Sequence, residues 1–222
     1  WGAFGDYVNY LNKKRVNFKF LPGFKIPSGI EITADLKDAT RNKQLIVLAS
    51  PSQYLRRVLK ELRIAGYPED AIYLSVTKGI EIKTLRRMSE VIREELGRVN
   101  LAALSGPTIA QEVARGMPAT AVIAAADKGV REHLQDIFMT ERFRIYTSDD
   151  IIGVEMGGSL KNVIAIACGI SDGLGFGNNA KAALLSRGLR EISRLGRAMG
   201  GKVSTFSGIS GLGDLVTTCI SP

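Results

Sequence analysis

The 222-residue chain is poor in the residues that build metal sites and disulfides: it has one histidine and two cysteines. Cys168 and Cys219 lie in apolar surroundings and form no CxxC pair, so no disulfide framework is read from them. Reduced thiols in a cytoplasmic protein are expected instead. His133 sits on a charged helical pattern and is expected at solvated surface, and no cluster has metal-ligand spacing. Low-complexity segments, internal repeats and a signal-peptide pattern are lacking as well. The apolar, acid-free stretch of residues 156–171 (MGGSLKNVIAIACGIS) is interrupted by Lys161, Asn162 and glycines. It is expected to be too short to cross a bilayer, and a soluble protein with no membrane partner follows.

What the chain has is ordinary globular composition, 45% hydrophobic and 23% charged, with a net charge of +8. Such a charge suits nucleic acid, an acidic membrane surface or a small anion. The basic residues are scattered over helical patterns that also carry glutamate. Residues 81–97 (EIKTLRRMSEVIREELG) are the clearest case. Ile82, Leu85, Met88, Ile92 and Leu96 recur at helical spacing, which predicts a helix over 81–97. No basic segment is read as a surface for stacking bases, so nucleic acid is not expected as a partner.

Apolar runs alternate with amphipathic helices through the first two-thirds. QLIVLA (44–49) reads as a strand buried on both faces, followed by a helix at about 53–65. AIYLSVT (71–77), LAALS (101–105), TAVIAAA (120–126) and FRIYT (143–147) continue the series, with helices at 81–97, from Thr108 and at 128–139. This alternation predicts a Rossmann-like, doubly wound α/β domain with a parallel sheet over residues 1–148. Ligands in that architecture sit beyond the carboxyl ends of the strands. The loops there are Ser50-Pro51-Ser52, Thr77-Lys78-Gly79 and Ser105-Gly106-Pro107-Thr108, which bring small residues, hydroxyls and one lysine to a common edge. From Asp149 the strand pattern stops, and residues 149–222 read as a second, all-helical domain.

Within that helical part Lys161 is the single charge of its segment, followed at once by VIAIA. A lysine there must snorkel to water, pair with a carboxylate or give up its proton more readily. Asn162 adds a second polar group, and a functional lysine is the favoured reading. Asp214, inside the apolar, glycine-rich GLGDLVTTC, is either a helix cap or the charge partner. Gly173-Leu174-Gly175-Phe176-Gly177 follows a helix rather than a strand, so it reads as a helix-to-helix turn and not as a dinucleotide fingerprint.

Several segments in preserved order resemble NAD(P)-dependent glycerol-3-phosphate dehydrogenase of the bacterial type. They are FLPG and KIP within 20–27, TKGIE (77–81), SGPT (105–108), GGSLKNVIAIACGISDGLGFGNNAKAALLSRGL (157–189) and GISGLGDLVTTC (208–219). The resemblance implies hydride transfer between NADH or NADPH and a small-molecule substrate, dihydroxyacetone phosphate or glycerol 3-phosphate. The product would feed phospholipid synthesis. Lys161 matches the family's catalytic lysine and Asp214 its aspartate partner. Lys78 matches a contact to both substrate and cofactor, Gly106 and Thr108 match substrate contacts, and Ala110 matches a cofactor contact. Asn162 and Thr218 match positions that hold substrate in the animal enzymes. Ser50, Pro51 and Ala3 are placed on the cofactor side, and alanine at position 3 mildly favours NADH over NADPH. A homodimer is compatible with the resemblance but is not read from these residues.

The departures are at the ends. The family opens with a strand and a GxGxxG loop ahead of the position of Trp1, which is expected to end the second strand. It continues past Ser221-Pro222 into an Arg-Asn pair that binds phosphate. The chain is therefore expected to be truncated at both ends, with poor stability and no useful turnover by itself. Two rivals stand beside this reading. Two-domain hydroxyacid dehydrogenases carry Lys-x-x-x-Asn on the long helix, whereas position 165 here is alanine. A non-catalytic dinucleotide- or anion-binding module would tolerate loss of Lys161 and weaken steeply with salt.

Overall fold

A computed structural model of the chain describes residues 1–221. The N-terminal part is α1 (Gly5–Lys14), a hairpin of β1 (Val16–Asn17) and β2 (Leu21–Lys25), and α2 (Leu36–Thr40). Trp1, expected at a strand end, lies ahead of α1 in no strand; its indole Nε1 donates to the Ala34 carbonyl at 2.9 Å.

The sheet follows as β3 (Leu45–Leu48), β4 (Ile72–Ser75), β5 (Asn100–Ser105), β6 (Ala119–Ala125) and β7 (Phe143–Ser148), paired in that order. Its helices are α3 (Ser52–Ala65), α4 (Met88–Leu96), α5 (Ala110–Ala114) and α6 (Lys128–Phe138). The apolar stripe Leu55, Val58, Leu59 and Leu62 of α3 repeats at helical spacing and is buried. It packs with Met88, Val91 and Ile92 of α4 over Ile46, Leu48, Tyr73 and Leu101 on one sheet face. Burying each such side chain contributes about 1.5–3 kcal/mol. Leu74, Ala102, Ile123 and Ile145 point to the other face, where Leu134 of α6 covers them.

Two expectations are corrected here. The sheet is not parallel throughout: β3, β4 and β5 are parallel, β6 runs antiparallel to β5, and β7 is parallel to β6. The β5–β6 link carries only the five-residue α5, so the chain turns back without the longer crossover that a parallel neighbour needs. The helix predicted over 81–97 begins only at Met88. Residues 79–87 instead form a lobe closed by a bridge between Ile80 and Arg87, with Leu85 in the left-handed region at φ 58°.

Residues beyond the sheet are helical: α7 (Ile151–Gly173), α8 (Gly177–Ala198), α9 (Val203–Phe206), a π-helical turn (Ile209–Gly213) and α10 (Asp214–Ile220). Asp150 starts α7 by accepting the Gly153 N–H at 2.8 Å, and also takes the Lys202 N–H and the Thr205 hydroxyl. At 23 residues α7 is, by length and apolarity alone, long enough to cross a membrane, against the shorter span read from the sequence. It lies instead along β5, with Glu155 and Lys161 in buried ion pairs. Its other flank is open: Val163, Ile166 and Ile170 are exposed, so the helix is not buried all round. Gly173–Gly177 forms the turn from α7 to α8.

Candidate active site

The carboxyl end of β5 and the loop after β4 meet the middle of α7. Close approach there is set by the glycines before Lys161. A Cβ added at Gly157 would stand 2.6 Å from the Ser210 carbonyl oxygen of the π-helical turn, so only glycine lets the two backbones meet. Gly158 packs against the Ser105 side chain at the end of β5. The π-helical turn then delivers Asp214 as the first residue of α10, facing α7; such turns concentrate at functional sites.

Asp214 is buried and bridges two lysines. Lys161 Nζ donates to Asp214 Oδ1 at 2.6 Å and to Thr218 Oγ1 at 2.5 Å. Lys78 Nζ donates to Asp214 Oδ2 at 2.5 Å and to the Gly106 carbonyl at 3.2 Å. Thr218 in turn donates to the Asp214 carbonyl at 2.8 Å, which leaves its lone pair for Lys161. Two ammonium groups share one carboxylate, so the cluster carries one excess positive charge. Each ammonium has three N–H donors, and each spends two on these partners. The arrangement leaves one donor apiece for an anionic or ketonic ligand. Burial pulls the Lys78 pKa below its ordinary value, opposed by Asp214 and helped by the neighbouring Lys161.

The structure thus gathers Lys161, Asp214, Lys78, Thr218 and Gly106, with Thr108 beside them through its hydroxyl on the Gly106 carbonyl at 3.3 Å. Asn162 is exposed and shares no hydrogen bond with Lys161, because consecutive helical residues point about 100° apart. Ser50 and Pro51 form the entry to α3, where the Ser50 carbonyl accepts the Thr77 hydroxyl at 2.8 Å. Ala110 is exposed at the start of α5, and Ala3 is exposed ahead of α1. Neither hydrogen-bonds to the lysine pair. A cleft of about 340 Å³ lined by Pro107, Glu112, Thr120, Arg142, Arg144 and Thr217 takes in neither lysine, so the chemistry is not placed there.

Sequence reasoning passed over Ser159 and Glu155. Ser159 Oγ accepts the Gly79 N–H at 3.0 Å, beside Lys78. Glu155 is buried and takes Arg87 Nη1 at 2.6 Å, the Ser89 N–H at 2.7 Å and the Ser89 hydroxyl at 2.6 Å. The one signal for Glu155 was an acid on the same apolar helix as Lys161.

Residues 1–131 match the family described as NAD-dependent glycerol-3-phosphate dehydrogenase N-terminus, and residues 150–222 match its C-terminus. The glycerol-3-phosphate dehydrogenase [NAD(P)+] of Fusobacterium nucleatum is 50% identical over the whole of this chain, which covers 66% of that protein. That of Halothermothrix orenii is 48% identical over 95% of the chain, covering 61% of the relative. The chain therefore spans somewhat under two-thirds of these curated relatives. Among solved structures, glycerol-3-phosphate dehydrogenase from Coxiella burnetii superposes with a TM-score of 0.95 at 38% identity, over all of this chain and 67% of the other.

Proposed function

The chain belongs to the NAD-dependent glycerol-3-phosphate dehydrogenase family, and on that premise we propose that its lysine pair interconverts dihydroxyacetone phosphate and sn-glycerol 3-phosphate. The observation that carries the proposal is the pair of lysines on the two oxygens of Asp214. Reducing a ketone creates an alkoxide, and Lys161 Nζ supplies the proton from its unspent N–H. Asp214 pairs with that amine and Thr218 fixes its direction. Lys78 binds the anionic substrate beside the reacting carbon, with Gly106 and Thr108 at the same edge. Asn162 is proposed to meet substrate only at its outer end, given its exposure.

The residues at the strand ends suit a nicotinamide. Ser50 and Pro51 lead into α3, whose first N–H groups have no side-chain cap. Ser105 Oγ is buried without a partner among the described residues and lies against Gly158, close to the Lys78 stem. Ser50, Pro51, Lys78, Ala110 and Ala3 would hold the cofactor, NADH or NADPH, which supplies the hydride when bound. No strand–glycine loop–helix segment for a pyrophosphate occurs among the described residues, so this edge accounts for the nicotinamide side alone.

The proposal divides the chain into a nucleotide-binding part (1–148) and a helical substrate-binding part (149–222). The end of β7 at Ser148 and the Asp150 cap of α7 support that boundary. It also takes the product as a precursor for phospholipids and the protein as cytoplasmic. In keeping with that compartment, both cysteines are free and buried, and burial pushes the Cys219 thiol up to about 11. The test is oxidation of NADH and of NADPH by the full-length protein on adding dihydroxyacetone phosphate, with unphosphorylated dihydroxyacetone alongside. Oxidation that requires the phosphorylated ketone is expected; none with either nicotinamide removes the proposal.

A further inference from the structure

The segment from β4 to α4 carries Lys78 and then the lobe 79–87, and both ends of that lobe are tied to one turn of α7. At the near end Ser159 Oγ accepts the Gly79 N–H at 3.0 Å, across 80 residues of sequence. At the far end Glu155 accepts from Arg87 and from the Ser89 N–H and hydroxyl. Positions 155 and 159 stand one helical turn apart on the same face. The Ser159 hydroxyl also donates to the Glu155 carbonyl at 2.7 Å. Its hydrogen is thereby spent, so the lone pair is what it offers to Gly79. Gly79 itself adopts φ +139°, and a Cβ there would stand 2.5 Å from Ser52 Oγ. The near end of the lobe is therefore held between α3 and α7 in a backbone shape that only glycine takes without strain.

We propose that Ser159 is a positioning residue that sets Lys78 in register with Lys161 on opposite oxygens of Asp214, through its bond to the Gly79 amide. The geometry suits this role. Lys161 lies two residues beyond Ser159 on α7, and Lys78 lies one residue before Gly79. One hydroxyl thus fixes the separation of two ammonium groups that arrive from different elements. Glu155, the Ile80–Arg87 bridge and Gln53, whose side chain takes the Ile82 N–H and donates to the Ile80 carbonyl, hold the rest of the lobe without it. Loss of the Ser159 hydroxyl therefore loosens Lys78 rather than unfolding the lobe.

This rests on the proposed reaction, and the experiment separates the two. Ser159→Ala and Ser159→Thr are compared with the unmodified full-length protein in steady-state kinetics with dihydroxyacetone phosphate and NADH, in thermal unfolding, and in hydrogen exchange of the Gly79 amide. Misplacing a group held by such an outer contact costs roughly 10–100-fold. Ser159→Ala is expected to lose about that much in kcat/KM, mostly through KM, with little change in Tm and faster Gly79 exchange. Ser159→Thr, which keeps the hydroxyl, is expected to restore both. Unchanged Gly79 exchange and unchanged kcat/KM in Ser159→Ala overturn the inference, as does an equal loss in Ser159→Thr. If the unmodified protein turns over nothing, the reaction fails, and Gly79 exchange in the two variants still decides whether Ser159 holds the loop.

Discussion

Two clusters of charge in this molecule use the same residue types to opposite ends. Around Arg56 one guanidinium meets Glu81 at 2.8 Å and Glu94 and Glu95 at 2.7 Å each, with Arg63 and Arg86 closing the rim. Hydrogen bonding to Arg56 holds Glu81 down at about 2. Every charge there has an opposite within reach, and the network ties α3, the lobe and α4 together. Around Asp214 the count is reversed: two lysines divide one carboxylate, in a place where glycines have removed the side chains that could have filled the space. A balanced network has no use for a ligand. An unbalanced one, held at the carboxyl ends of parallel strands, is completed by an anion from outside.

The contrast breaks most directly at Lys161. Lys161→Ala should cut kcat by roughly 10²–10⁴-fold, the range for losing a general acid, while leaving the fold intact by circular dichroism. Retained turnover would make this cluster as structural as the other. Glu155→Leu tests the intermediate case, a buried carboxylate that meets Arg87. Stranding that guanidinium should cost about 3–5 kcal/mol of stability by denaturant unfolding. Lys78→Ala should raise KM for dihydroxyacetone phosphate by roughly 10–100-fold with a smaller effect on kcat, equivalent to about 1.4–2.8 kcal/mol.

Arg56→Ala should do the reverse, costing about 1–2 kcal/mol of stability with kcat unchanged. Its pH dependence follows from Glu81, whose pKa is lowered in the folded state. That contribution is present above the ordinary value of 4.5 and fades as pH falls toward about 2, so the two proteins should converge in stability on acidification. The smallest effect is alkaline. Lys78 titrates below its ordinary 10.5, so KM should begin to rise before that pH as the ammonium is lost. The same depression makes the charged site a burden on folding at neutral pH, relieved as pH rises through the lowered pKa toward 10.5.

The strands of the sheet were readable because continuous apolar runs bounded by Ser, Gly and Pro leave few alternatives. Their direction was not, since an apolar run carries no polarity, and the inversion at β6 became visible only in the pairing. The helix over 81–97 was read too long because Ile82 and Leu85 extend its apolar period by chance; both are exposed, and Leu85 is left-handed. Lys161 and Asp214 stood out as charges where apolar residues surrounded them. Asn162 was grouped with Lys161 by sequence adjacency, which a helix turns into different faces. Ser159 was invisible for another reason: its partner is a backbone amide 80 residues away, and amides have no residue type to notice.

One measurement reaches the central claim, that the unbalanced lysine cluster is built for a reacting anion. It is single-turnover oxidation of bound NADH by dihydroxyacetone phosphate, in the full-length protein and in its Lys161→Ala and Arg56→Ala variants. The account predicts a fast burst in the unmodified protein and in Arg56→Ala, and a rate at least roughly 10²-fold slower in Lys161→Ala. Equal bursts in all three proteins would contradict it.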